Sequence, residues 1–329
     1  DPNWFQALGS TIGFDWHSSG LTTTTAGALK ESINHANLGV TIAGGKGQAS
    51  RKTLKEIEDN ASTTSHAEKL TRSSRLTAKA DTALIQDRYQ LYHHVFTFTD
   101  NGKWAVIQQG MNTRYARRYH WLSDTTPSYT EHDNAIIGDR QEQDVLHLAT
   151  EDSRENRNVT LDLAKDHPNK LLRHLHQPSQ TTLGHYDGTN PGETTYTQRH
   201  TIKGAERINH DTPKRAYEYQ PSTHAELLLT KGIGAKTIRS LSLVADLIHG
   251  APAAWRDPVT YSFAHGGKDG IPRPVDRNLM DRNTRFLKDA IRQARLGEED
   301  RRKCLKRLSG LVTTGRTGNS SRARPSSAR

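Results

Sequence analysis

The sequence predicts an α+β protein, with an N-terminal mixed α/β domain that contains a β-hairpin and a C-terminal all-α helix-hairpin-helix domain. Two segments predict this fold class. Val95–Thr99 and Lys103–Gln108 are rich in β-branched and aromatic residues, and the Asp-Asn-Gly between them is typical of a hairpin turn. Residues 225–250 read AELLLTKGIGAKTIRSLSLVADLIHG, in which two apolar helical runs flank a Gly-Ile-Gly turn.

Changes in composition divide the chain into four predicted parts. Residues 1–150 form the mixed α/β domain, 151–221 a helical connector and polar linker, 222–308 the helix-hairpin-helix domain, and 309–329 a disordered basic tail. Leu70–Tyr92 carries a mixed apolar face, which predicts a helix. Gln177–Gln220 is rich in Thr, Gly, Pro, His and Asn without a sustained period, which predicts a long loop that separates two units.

The charge balance indicates a polyanionic partner. The 329 residues include 46 Lys and Arg against 36 Asp and Glu, a formal net charge of +10, and such a field attracts nucleic acids. DNA is the expected partner and RNA is the alternative. The single cysteine, Cys304, excludes an internal disulfide framework and agrees with a reducing compartment. Because no apolar run is long enough to span a bilayer, we expect a cytoplasmic, nucleoid-associated protein without a membrane partner.

The Gly-Ile-Gly turn predicts a contact with a nucleic-acid backbone. Its glycines let the chain bend sharply and approach another surface closely, and the amides that begin the following helix are free to point at a phosphate oxygen. The predicted contact residues are Lys231, Gly232, Ile233, Gly234, Lys236 and Thr237. The alternative is an αα-hairpin that only packs against the rest of the protein.

Two basic segments in the N-terminal half are further candidates for nucleic-acid binding. The glycines around Lys46 present amides to a phosphate, with Arg51 nearby, or form a plain solvated turn. Arg117 and Arg118 interleave with aromatic residues in RYARRYHWLS. Aromatic rings beside arginines stack on unpaired bases, which suggests an RNA-binding or RNA-modifying factor. The same rings can instead fill a core and leave the arginines outside.

The segment after the hairpin, YSFAHGGKDGIPRPVD, is the densest group of residues that could carry out catalysis. It supplies the candidate catalytic residues His265, Lys268, Asp269 and Asp276. This order is similar to that of the helix-hairpin-helix DNA glycosylases, in which a Val-Asp follows the hairpin. The resemblance implies that the Asp276 carboxylate assists loss of a base and that Lys268 forms a Schiff base with the sugar.

The spacing departs from the glycosylase pattern. Asp276 follows Gly234 by 276 − 234 = 42 positions, which is longer than the usual gap in that family. The intervening segment would therefore have to loop out without moving the carboxylate. The alternative is that Asp276 only caps a helix and that Lys268 lies on a solvated loop.

Clusters of Asp and His in the N-terminal half predict a divalent metal ion for phosphodiester cleavage. The candidate ligands are Asp15, His17, Asp87 and His93. These residues lack the spacing of a paired-cysteine zinc motif, and a structural role for each is the alternative. Apart from this metal, no cofactor is expected.

Long segments of the chain together resemble an uncharacterised prokaryotic family, the domain of unknown function numbered seven-six-three. The matching segments are WFQALGSTIGFDWHSSG, AGGKGQASRKT, QDRYQLYHHVFTFTDNGKWAVIQQGMN, RYARRYHWLS, LLLTKGIGAKTIRSLSLVADLIHGAP and WRDPVTYSFAHGGKDGIPRPVDR. The resemblance covers Trp4 to Leu308 and implies no particular activity. Combined with the turn, the sequence predicts a DNA-binding repair enzyme that acts by base excision or by metal-dependent strand cleavage. A non-catalytic nucleic-acid binding protein is the alternative.

Overall fold

The structure, a computed structural model, describes residues 1–11, 20–36, 38–132, 135–138, 140–170, 211–259, 277–293 and 297–317. The helices are α1 (Pro2–Thr11), α2 (Gly20–Ala36), α3 (Gln48–Arg51), α4 (Thr53–Asn60), α5 (Thr64–Lys79), α6 (Arg154–Lys165), α7 (Asp211–Tyr219), α8 (His224–Leu229), α9 (Ala235–His249), α10 (Arg277–Gln293) and α11 (Glu298–Thr317). The strands are β1 (Val40–Lys46), β2 (Ile85–Gln86), β3 (Gln90–Thr99), β4 (Trp104–Met111), β5 (Ala116–Leu122), β6 (Ala135–Gly138), β7 (Leu146–His147) and β8 (Ala254–Trp255).

The chain divides into two compact units. One combines Asp1–Leu29 with Phe263–Arg329, and the other is Lys30–Ser262. In the first unit α1 packs against α10 and α11, around a small core of Ala7 and Ile291 with the half-buried Cys304 at its margin.

The larger unit is built on two antiparallel sheets. The five-stranded sheet has the order β1-β3-β4-β5-β6, and the three-stranded sheet has the order β2-β7-β8. One hydrophobic core extends from the large sheet, at Phe96, through α5, at Leu76, to α8 and α9, at Leu228 and Ile238. The protein is therefore mixed α/β with antiparallel sheets and several helices, and α8 and α9 share their core with the sheet.

Local sequence signals set the ends of α8 and α9. Thr223 caps α8 by accepting a hydrogen bond from the Glu226 amide at 3.2 Å, while the Glu226 carboxylate accepts from the Ser222 amide at 2.9 Å. This reciprocal pair is a capping box shifted by one residue. At the other end, Gly250 adopts φ 68° and its amide donates to Asp246 O, which ends α9 in the left-handed conformation that glycine favours.

The predicted hairpin is confirmed, because β3 and β4 pair around a turn in which Gly102 has φ 84°. The helix predicted over Leu70–Tyr92 is wrong beyond Leu84, where the chain enters β2 and then β3. Pairing of β3 with two neighbouring strands outweighs the weak helical period there. Two segments predicted to be irregular contain helices, since α7 lies inside Gln177–Gln220 and α11 continues to Thr317.

Candidate nucleic-acid interface

The turn between α8 and α9 bends sharply because of its first glycine. Gly232 has φ 95°, in the left-handed region, and a Cβ atom there would lie 2.7 Å from Thr212 Oγ1. Gly234 has φ −144°, which any residue adopts, and an added Cβ would meet no atom within 4 Å. The first glycine is therefore required by the backbone, whereas the second leaves an open space in front of α9.

The first backbone amides of α9 have no partner in the helical ladder or from a capping side chain. The first amide of the helical ladder is that of Ile238, which donates to Gly234 O at 3.0 Å. The amides of Ala235, Lys236 and Thr237 precede it, and Gly234 has no side chain with which to cap them. Unpaired amides combined with the helix dipole make such an end suitable for an anion.

The carbonyl side of the same turn is anchored to α5 and β2. Lys79 Nζ donates to Ile233 O, and Gln86 Nε2 donates to Ala235 O at 2.8 Å. The Ile233 side chain is only 1% exposed. Partial burial lowers the pKa of the Lys79 ammonium. These contacts anchor the turn to the protein through two of its carbonyls.

Basic side chains surround the turn. Lys231 and Lys236 are exposed, and Thr237 is half-buried. Arg215 donates to Lys231 O at 3.3 Å, and the Arg239 guanidinium lies over the Trp255 ring, 5.1 Å from its centroid. We call Lys231–Thr237 the phosphate turn. Its geometry allows the amides and the lysine side chains to contact one anionic group together.

The end of β1 and the turn that follows it, which we call the β1 loop, have a similar composition but use their backbone differently. The Gly44 amide donates to the Glu56 carboxylate at 2.8 Å, and the Gly47 amide donates to Tyr92 O at 2.7 Å. Lys46 and Arg51 are exposed. Two of the loop amides are therefore already paired within the protein, and the positive side chains are what the loop presents to solvent.

Arg117, a predicted nucleic-acid contact, lies in the protein interior. Arg117 is 1% exposed, forms a bidentate ion pair with Asp257, and donates to Asp87 Oδ2 at 3.1 Å. Tyr119 Oη donates to the same carboxylate at 2.6 Å, and the Tyr89 ring lies 4.6 Å below the guanidinium. We call these five residues the Arg117 cluster. Its charges are satisfied inside the protein.

The predicted metal ligands do not come together among the residues that the structure describes. Burial raises the pKa of the Asp87 carboxyl, while Arg117 and the hydrogen bonds from Tyr119 and Tyr89 oppose that shift. Over the described ranges, no three His, Cys, Asp or Glu side chains form a group that could hold a metal ion. Asp15 and His17 lie outside those ranges.

His93 and Arg118 are both buried in the large sheet. His93 is 1% exposed, and burial, followed by the charges of His94 and Lys46, lowers its pKa to about 4. Arg118 is 7% exposed. The four candidate catalytic residues, His265, Lys268, Asp269 and Asp276, lie outside the described residues.

Sequence reasoning missed three residues that shape these sites. Lys79 and Gln86 anchor the phosphate turn, and Asp257 completes the Arg117 cluster. Lys79 and Gln86 lie in the segment predicted to be one helix, and Asp257 lies in an irregular segment after β8. Asp257 lies in the sequence Arg-Asp-Pro, and nothing near it in the chain indicates a buried arginine partner.

The fold and these sites define a mixed α/β protein in which a basic two-helix turn packs on the core of an antiparallel sheet. The chain belongs to the family described as Protein of unknown function (DUF763), which matches residues 1–275. No curated protein and no solved structure matches it. In the described part of the chain, no helix is long and apolar enough to cross a membrane.

Proposed function

We propose that the phosphate turn is a helix-hairpin-helix module that binds the phosphate backbone of DNA. The observation that carries this proposal is the open N-terminus of α9 at Gly234, where uncapped amides lie between the exposed Lys231 and Lys236. A phosphate oxygen placed there accepts hydrogen bonds from the amides and is attracted by both the helix dipole and the lysines. Such contacts position a strand without reading its sequence.

The net charge of +10 supports a polyanionic ligand, since it raises the rate of encounter with nucleic acid. The repair activity predicted from sequence, either base excision at Asp276 or metal-dependent strand cleavage, is retained as part of the proposal. A panel of damaged, abasic, branched and single-stranded DNAs, incubated with and without a divalent metal ion, tests it. Binding without any cleavage or base loss would favour the non-catalytic alternative.

Gly234→Val is the sharpest test of the phosphate turn. The extended backbone at Gly234 accepts a β-branched residue, and the new side chain occupies the open space in front of α9 without changing any charge. We expect duplex DNA affinity, measured by fluorescence anisotropy with the full chain, to fall at least about tenfold, corresponding to the loss of roughly 1.4 kcal/mol.

The matched control is Gly27→Val, an exposed glycine in α2 around which a Cβ atom would also meet nothing within 4 Å. This variant should bind DNA as the wild type does. If Gly234→Val also keeps full affinity, binding arises from diffuse charge and the module assignment is wrong. Repeating the titrations with RNA of equal length tests the RNA alternative, which tighter RNA binding would favour.

A further inference from the structure

A line of polar side chains crosses one face of the large sheet. Lys46 on β1 pairs with His93 on β3, His93 pairs with Gln109 on β4, and Gln109 pairs with Arg118 on β5. Directly paired residues of antiparallel strands project to the same face, with Cβ atoms about 5 Å apart. The four side chains therefore stand side by side, and we call them the polar row.

The polar row contains a buried histidine whose hydrogen-bonding groups are unused. His93 is 1% exposed, and neither ring nitrogen has a hydrogen-bond partner within the part of the chain that the structure describes. Its neighbour Gln109 is 2% exposed and donates to the Tyr92 hydroxyl at 2.6 Å. A buried imidazole without partners destabilises the folded protein, because its polar groups have lost their hydrogen bonds to water. Such a group in a folded protein requires an explanation, and a ligand is one.

The charges of the row select the kind of ligand. Lys46 and Arg118 are cationic side chains on either side of His93 and Gln109, and the row itself contains no carboxylate. Lys46 is close enough to oppose protonation of His93. A metal cation at His93 would be repelled by the Lys46 charge, whereas an anion would be attracted to it. The row is thus unsuited to the metal ion predicted for His93 from the sequence.

The shape of the row favours a group with several acceptor oxygens. Neighbouring strands lie about 4.8 Å apart, so donors from Lys46 and His93 approach a bound group from different sides. The tetrahedral phosphoryl group has three terminal oxygens that accept such bonds. Lys46 is the exposed end of the row, and His93 is the buried residue next to it. The row thus runs from an exposed ammonium group to a buried imidazole.

We propose that the polar row binds a phosphoryl group, either inorganic phosphate or the terminal phosphate of a nucleotide chain. His93 donates one ring N–H to a phosphoryl oxygen, and Lys46 supplies charge at the entrance. A terminal phosphate fits because it offers the three terminal oxygens that such donors require. This site is separate from the phosphate turn and does not depend on the function proposed for that turn.

Isothermal titration calorimetry of the full chain with inorganic phosphate, at constant ionic strength, tests the proposal. We expect saturable binding by the wild type and a loss of at least tenfold in affinity for His93→Leu. The matched control is His224→Leu, because His224 is also buried with both ring nitrogens unpartnered but lies on α8. This control should bind phosphate as the wild type does.

A stability measurement separates binding from a structural role. Since His93 has no partner to lose, His93→Leu should keep or raise the melting temperature, whereas a structural histidine would lower it. If His93→Leu does not fold, Lys46→Gln at the exposed entrance replaces it and should weaken phosphate binding at least threefold. Unchanged affinity in the variant used would overturn the proposal.

Competition with oligonucleotides distinguishes free inorganic phosphate from the terminal phosphate of a nucleotide chain. A 5′-phosphorylated strand should compete with inorganic phosphate, while the same strand without the phosphate should not, if the ligand is a terminal phosphate. Competition by neither strand identifies free phosphate as the ligand. Gly234→Val should leave phosphate binding unchanged. A failure of the DNA-binding proposal for the phosphate turn is thereby distinguished from a failure of the phosphate-binding proposal for the polar row. No phosphate binding by the wild type, or zinc binding that His93→Leu abolishes, would contradict the assignment.

Discussion

At the phosphate turn the lysine side chains are exposed, whereas in the Arg117 cluster the guanidinium is buried. Both regions combine basic residues with hydrogen-bonding groups. At Arg117 two carboxylates from distant parts of the chain neutralise the guanidinium. At the turn, contacts from Lys79 and Gln86 occupy only the carbonyl side. Whether the charges of a basic segment are open to a partner therefore depends on whether the fold supplies its counter-charges.

The comparison predicts that removing the buried Arg117 guanidinium causes the largest loss of stability. Arg117→Met leaves Asp87 and Asp257 buried without their common partner, and breaking a buried ion pair in this way costs about 3–5 kcal/mol. We expect the free energy of unfolding, measured by urea titration, to fall by that amount. Lys231→Met is the control, because this exposed lysine should change stability far less. Equal effects would show that Arg117 is not held as described.

Buried histidines provide a second test of how burial in the protein affects a group that can carry charge. Burial, followed by neighbouring positive charge, lowers the pKa of His132 and of His224 from 6.5 to about 3. The unfolded chain protonates these residues below pH 6.5 while the folded protein does not. The contribution of these histidines to the free energy of unfolding should therefore have its full value above pH 6.5. It should fall by about 1.4 kcal/mol per pH unit for each histidine as the pH drops toward 3.

Replacing one histidine isolates its share of this acid sensitivity. His224→Leu should reduce the slope of unfolding free energy against pH, between about pH 4 and 6, by the contribution of one proton. His35→Leu, which removes an exposed histidine from α2, should leave that slope nearly unchanged. A slope that His224→Leu does not alter would mean that His224 is protonated in the folded protein as well.

Features whose residues are close together in the chain could be predicted from the sequence, whereas contacts between residues far apart in the chain could not. The β3–β4 hairpin and the phosphate turn are encoded within a few residues, by turn glycines and apolar periodicity, and could be recognised directly. The anchoring contacts could not, because Lys79 and Ile233 are 154 positions apart, and Arg117 and Asp257 are 140 positions apart. Such pairs arise from tertiary packing, for which a single sequence carries no local signal.

The polar row shows the same limit within one sheet. The sequence predicts nucleic-acid contacts at Lys46 and Arg118 but a metal ligand at His93, because each residue was interpreted with its own neighbours in the chain. Strand register places them on one line. A shift of one residue in the β1–β3 pairing would move Lys46 out of register with His93, so the site depends on a feature that residue types alone do not reveal.

The smallest predicted effect concerns the exposed lysines of the phosphate turn. Each lysine that contacts a phosphate releases about one counterion, so the slope of log affinity against log salt for duplex DNA should become shallower by about 0.9 for Lys236→Gln. Lys55→Gln removes the same charge from an exposed position on α4 and is the matched control. If both variants change the slope equally, the whole basic surface shares the contact. A change confined to Lys236→Gln would support a phosphate at the α9 N-terminus, where this exposed lysine lies beside the uncapped amides.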